Sequence, residues 1–210
     1  MRAMKPVSPS MQLCLGAAGW LVFTAAAQAN DITADRPDEA IAIAASGGKA
    51  ARRGLFLDLS TSACPVEFQD GRCPVPGQTG CRYVFVKRVD GKALLVKALA
   101  DEAYAYFWVN EADGQIVQLR DEALSSPDGR YFAVVSTCDG YGGCILQIWA
   151  SEGPKRIFQY EPTGYADFRF RSWSGNDRVL LDIGTWAGGQ LQYSPAEMRQ
   201  VKPTLWRLNP

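Results

Sequence analysis

The sequence predicts an all-β domain built as an antiparallel meander, on three observations. From Arg82 onward, short apolar or aromatic-rich stretches are separated by turn signals. Parts of the chain repeat themselves. Aromatic residues make up 11% of the chain and six of them are Trp, a composition suited to a pleated, half-buried surface.

The elements follow in order. Residues 1–29 read as a secretory signal peptide. Arg2 and Lys5 give a positive start, Leu13 to Phe23 is a short apolar run, and Ala27-Gln28-Ala29 supplies the small-x-small pattern, so cleavage is expected after Ala29. The apolar run falls short of the roughly 20 residues a membrane-spanning helix needs. Bulky Leu13 before Cys14 makes that cysteine a poor lipidation site. Residues 30–53 read as a short helix or a flexible tether. Asp35 is placed to cap the helix, Pro37 and the acids suit its first turn, and Gly47-Gly48 stops it.

Residues 54–210 form the predicted β domain, starting with a strand over Leu55–Leu59. The Pro- and Gly-rich stretch from Cys64 to Cys81 lacks periodicity and reads as a long surface loop pinned by a disulfide. Strands are then expected over residues 83–89 and 93–98, flanking the hairpin signal Asp90-Gly91, and over 104–109 and 115–119, flanking Asp113-Gly114. Further strands fall at 131–137, 145–150, 156–160, 167–171, 179–183, 190–193 and 204–208. Ser194-Pro195-Ala196-Glu197 has the form of a capping box with Pro at the first helical position, so a short helix is expected there.

Charge and composition exclude several function classes. The chain carries 22 basic and 22 acidic residues, and loss of the leader leaves 20 against 22. That balance is a poor footprint for nucleic acid or for an anionic membrane surface. There is no His, which removes Ser-His-Asp and Cys-His catalysis and any His-based metal site. Asp-rich calcium spacing is absent, no Cys-x-x-Cys pair occurs, and no metal or cofactor is expected.

Cys64, Cys73, Cys81, Cys138 and Cys144 remain after processing, and in an oxidising compartment they are expected to pair. Cys138 and Cys144 flank a Gly-rich tip and are within easy bridging reach. Among Cys64, Cys73 and Cys81 one bridge can form and one thiol is left over, with the pairing open.

Two internal alignments carry the repeat. Trp108–Leu119 runs parallel to Trp149–Tyr160, with Trp, Glu, Ile and Gln coinciding. Ser126-Pro127-Asp128-Gly129-Arg130 and its following apolar strand match Ser174-Gly175-Asn176-Asp177-Arg178 and its own. The offsets, about 40 and about 48 residues, are near those of blade repeats. With its turn-rich strand pairs, Ser126–Tyr131 resembles the repeat of WD-repeat-like bacterial periplasmic β-propellers of the Tol-system type, over roughly Tyr83–Leu208 at the level of motifs. The second copy departs from the pattern by lacking Pro and the Asp-Gly order. The resemblance implies propeller-like blades and an interaction scaffold. About 12 strands make about three blades, too few for a closed propeller of 4 to 8.

The strand after each repeated turn leads into a Gly-rich segment carrying an aromatic: Asp139–Gly143 with Tyr141, and Gly184–Gly189 with Thr185 and Trp186. Asp139, Tyr141, Thr185 and Trp186 are therefore the candidate binding residues, expected on one edge of the fold and suited to a partner protein or a sugar. Asp139, Glu152, Asp177 and Asp182 are the acids from which a hydrolytic carboxylate pair would be drawn. Trp108, Trp149, Trp173 and Trp206 read as core or sheet-packing residues. The expected function is a non-catalytic binding or protein-interaction module of the periplasm or cell envelope, acting on an envelope protein or glycan and without membrane insertion after processing. A homodimer would complete the partial ring. Alternatives are a carboxylate-dependent envelope hydrolase, or an inhibitor of a secreted hydrolase using the Cys138–Cys144 loop.

Overall fold

A computed structural model describes residues 37–73, 80–100, 104–136, 144–162 and 166–209. Among them, fifteen strands form four antiparallel sheets in chain order. Sheet 1 holds β1 (Ala50–Arg53), β2 (Phe56–Leu59) and β3 (Val66–Gln69). Sheet 2 holds β4 (Arg82–Val89), β5 (Ala93–Leu99), β6 (Tyr104–Asn110) and β7 (Ile116–Leu119). Sheet 3 holds β8 (Ala123–Ser125), β9 (Tyr131–Ser136), β10 (Ile145–Ala150) and β11 (Lys155–Tyr160). Sheet 4 holds β12 (Ala166–Trp173), β13 (Arg178–Ala187), β14 (Gln190–Lys202) and β15 (Leu205–Asn209). Within each sheet every strand pairs with its neighbour in sequence. The fold is thus an all-β meander of three four-stranded, blade-like sheets preceded by a three-stranded one, and it is not closed into a propeller.

Both repeat alignments map onto equivalent elements. Trp108 and Trp149 sit on the third strands of sheets 2 and 3, and each alignment continues into the fourth strand. Ser126–Arg130 is the turn between the first and second strands of sheet 3, and Ser174–Asp177, leading into Arg178 of β13, is that of sheet 4. The departure of the second copy has a structural counterpart. Ser126 N–H closes its turn on the Tyr131 carbonyl, whereas Ser174 N–H closes on Arg178, one residue sooner. In three sheets an N–H at the end of the third strand donates to the carbonyl of that turn: Glu111 to Lys92, Ser151 to Arg130 and Gln200 to Asp177. Neighbouring turns also touch, through Lys92 Nζ to the Gly129 carbonyl at 2.8 Å and Asp128 N–H to Asn176 Oδ1 at 3.1 Å.

Burial patterns follow from position in the stack. Sheets 2 and 3 lie between neighbours, so β5 and β9 are buried almost continuously. In sheet 4, β13 and β14 show more alternation because one face alone is covered. Each joint between sheets holds an aromatic cluster: Phe68, Tyr83 and Phe107 between sheets 1 and 2; Trp108, Phe132 and Trp149 between sheets 2 and 3; Tyr131, Trp173 and Trp206 between sheets 3 and 4. Of the four Trp residues, Trp108 and Trp206 are buried in the core, and Trp149 and Trp173 are half-buried and pack against it.

Helix α1 (Pro37–Ala45) packs on β4. Its Glu39 is buried and joins Arg52 of β1 and Asp70 in a charged network at the outer edge of sheet 2. Glu39 accepts from Phe85 N–H at 2.8 Å, Asp70 accepts from Tyr83 N–H at 2.8 Å, and Arg52 donates to the Tyr83 carbonyl. Side chains thereby satisfy backbone groups that an edge strand otherwise exposes. Residues 37–53 are consequently a docked helix and a paired strand, not a tether.

Two other expectations differ from the structure, in the stretch between Cys64 and Cys81 and at Ser194–Glu197. The predicted loop between Cys64 and Cys81 contains β3, whose Phe68 enters the core. Its bridge is Cys73–Cys81, with Cα atoms 5.1 Å apart, and Cys64 stands outside it. Cys144 is disulfide-bonded, while Cys138 lies outside the described residues. The predicted helix at Ser194–Glu197 is strand β14: Ala196 and Met198 pack into the core of sheets 3 and 4, and tertiary burial overrides the local capping signal. Pro195 is tolerated there because pairing with β15 begins two residues on, at Glu197–Asn209. No helix among the described residues is long and apolar enough to cross a membrane.

Phe132 is fully buried and stacks on Trp108 at 4.2 Å between centroids, so it holds the central joint. Phe132→Ala is expected to cost about 3–5 kcal/mol, and Phe132→Leu markedly less, in urea unfolding followed by Trp fluorescence.

Candidate functional site

Among the described residues the β13–β14 hairpin is the longest, and it forms most of the outer face of sheet 4. Its turn is Gly188-Gly189, with φ of +60° and +78°, as a two-residue hairpin turn requires. These two glycines alone make the turn, so β13 runs on through Ala187 and the expected Gly-rich loop from Gly184 is mostly strand. Gly184 serves a different purpose. A Cβ there would come within 2.8 Å of the Tyr193 ring, so the glycine is the space into which that ring lies. The Tyr193 hydroxyl donates to the buried Asp167, and the Arg169 guanidinium lies 3.7 Å above the ring centroid.

Strand register places the other side chains. Positions 178, 180, 182, 184 and 186 of β13 pair with 199, 197, 195, 193 and 191 of β14 and share the outer face. Trp186 is 56% exposed opposite Leu191, beyond Gly184 and Tyr193. Thr185 is exposed too, but it pairs with Ala166 and points to the opposite face, so the structure separates the two neighbours. At the other end of the face, Arg178 pairs with Arg199 and Arg199 with Arg207, which sets three arginines side by side on β13, β14 and β15. Arg171, in the bulge of β12, lies 3.6 Å from Asp182, and Arg178 lies 3.6 Å from Glu197.

Asp139 and Tyr141 lie outside the described residues, in the connection from β9 to β10. That connection is the sheet 3 counterpart of the β13–β14 turn. The acids from which a carboxylate pair would come are dispersed: Glu152 is in the turn after β10, Asp177 in the turn before β13, and Asp182 is on the outer face beside Arg171. Among the described residues no group of His, Cys, Asp or Glu is placed to hold a metal ion.

A second polar cluster was not anticipated. At one end of sheet 2, Lys97 lies over the rings of Tyr104 and Tyr106, at 4.8 and 5.3 Å, and Tyr104 donates to Asp121. Burial pushes the Asp121 carboxyl above its ordinary range, against hydrogen bonds from Glu122 N–H and Tyr104 that lower it. Burial, with Asp121 and Glu122 nearby, pushes Tyr106 up to about 12. Tyr104 is exposed and Tyr106 belongs to the core between sheets 2 and 3, whereas Asp121 follows β7 and meets them only through pairing.

No protein-family model, curated protein or solved structure matches the chain.

Two outcomes are expected. Like charges directly opposite in a sheet oppose one another, so Arg199→Glu should stabilise by a few tenths, about 0.3 kcal/mol after solvent screening, seen as a small rise in melting temperature. For Asp121 the folded carboxyl binds its proton more tightly than the unfolded one, so its destabilising effect is absent below the unfolded value, about 3.9, and grows as pH rises through the folded value. Asp121→Asn should therefore be more stable than the parent at pH 7 and equal to it near pH 3 in urea titrations.

Proposed function

We propose that this chain is an exported, non-catalytic binding module of the periplasm or cell envelope, and that the outer face of sheet 4 is its binding surface. The observation that carries this reading is the composition of that face: Trp186, Tyr193 and five arginines (Arg169, Arg171, Arg178, Arg199 and Arg207) on one continuous sheet surface. Trp, Tyr and Arg are the residues that dominate binding energy at interfaces. The leader-like residues 1–29 and the Cys73–Cys81 bridge agree with an oxidising compartment. The meander of blade-like sheets agrees with a relation to WD-repeat-like periplasmic propellers of the Tol-system type.

The full chain, immobilised and exposed to an envelope extract, should retain at least one component that Trp186→Ala/Tyr193→Ala fails to retain. Glu67→Ala on sheet 1 should behave as the parent. Retention of every component by the double variant, with its fold intact by circular dichroism, would sink this reading.

A further inference from the structure

We infer that the ligand of this face is an anionic polysaccharide, a sugar ring meeting the exposed Trp186 and its carboxylate or phosphate groups meeting the row Arg178, Arg199 and Arg207. This deepens the proposed function and rests on it.

The row is the first argument. Neighbouring strands lie about 4.8 Å apart, so three guanidinium stems emerge within about 10 Å. Some exposed arginines elsewhere lie close against acids, as Arg53 on Asp58, Arg88 on Glu111 and Arg130 on Asp128, while Arg72, Arg82 and Arg156 enter no described ion pair. On the row, Glu197 is the acid in reach, at 3.6 Å from Arg178 Nε, and that Nε is buried without a hydrogen bond. Arg199 and Arg207 are exposed and enter no described ion pair. A sheet that sets three cations in register against their own repulsion has the form of a receptor for a multivalent anion. Arginine forks recognise carboxylate and phosphate in the same bidentate way.

The second argument is the distance to the aromatic end. Arg178 and Trp186 are eight residues apart on β13, or about 26 Å at strand rise. A small anion would engage the row alone. A ligand that engages both ends is extended and carries flat apolar faces together with repeated negative charge. An acidic polysaccharide meets that description. An oligonucleotide would also stack and carry phosphate, but the even charge balance of the chain is not that of a nucleic-acid protein. An acidic polypeptide offers charge without repeated ring faces.

Titration calorimetry of the full chain with polygalacturonate and with phosphorylated dextran tests this, against neutral dextran, poly-L-glutamate and a thymidine oligonucleotide. Binding to at least one of the two anionic polysaccharides is expected, weakening as salt rises. It should fall about tenfold or more in Arg199→Glu/Arg207→Glu, whose melting temperature should not fall, and should also weaken in Trp186→Ala. Absence of binding to both anionic polysaccharides overturns the proposal, as does equal binding to neutral dextran or tighter binding to poly-L-glutamate or the oligonucleotide. If Arg199→Glu/Arg207→Glu keeps the full envelope capture that Trp186→Ala/Tyr193→Ala loses, the binding face stands and the polysaccharide assignment falls.

Discussion

A sheet at the end of an open stack has one face with no partner sheet, and that face must be stable in water. Sheet 4 satisfies this constraint by alternation. Val179, Leu181, Ile183, Ala196 and Met198 turn toward sheet 3, while Arg178, Asp182, Glu197 and Arg199 turn out. Sheet 1 does the same on a smaller scale, with Leu57, Leu59 and Phe68 inward and Arg53, Asp58 and Glu67 joined in an exposed ion cluster. The outer ion cluster of sheet 1 is internally matched; that of sheet 4 is arginine-rich and carries Trp and Tyr. The polarity that lets the stack end is therefore the same feature that gives sheet 4 the arginine-rich face proposed as its binding surface.

Edges impose a second demand. Sheet 2 begins with β4, whose outer side would otherwise expose a row of backbone donors and acceptors. Glu39, Arg52 and Asp70 cover it from three separate elements and so tie α1 and sheet 1 to sheet 2 at one point. Burying two carboxylates around one guanidinium carries a large desolvation cost, offset here by hydrogen bonds from the β4 backbone. Such a network does little for stability that apolar packing would not do as well, but it aligns the first sheet with the second.

Much of this architecture was legible in the residues. Turn signals mark most strands of sheets 2 and 3 to within a residue, because several are followed by a turn of strong local preference, such as Asp90-Gly91 with both φ values positive. The repeat was legible for the same reason: its motifs are turns and the strands they position. Strands β3 and β8 were not, being too short to show periodicity and identified only by their neighbours. Ser194–Glu197 misled because a capping motif is local whereas burial of Met198 is not. At the candidate site Trp186 could be singled out from its glycines. The arginine row could not, since Arg178, Arg199 and Arg207 belong to three strands and become neighbours only through register. The role of Gly184 was likewise hidden, because a glycine beside a Gly-Gly turn reads as more turn.

Sheet contacts along this chain are sequential, with one core between sheets 1 and 2, one between 2 and 3, and one between 3 and 4. A closed ring fixes its number of blades, since the last must meet the first at a set angle. An open row carries no such closure condition. Duplication or loss of a terminal sheet changes it by a single joint and leaves the remaining ones as they were. Copy number in such a lineage is free to drift, provided that whichever sheet stands last acquires an outer face that water accepts.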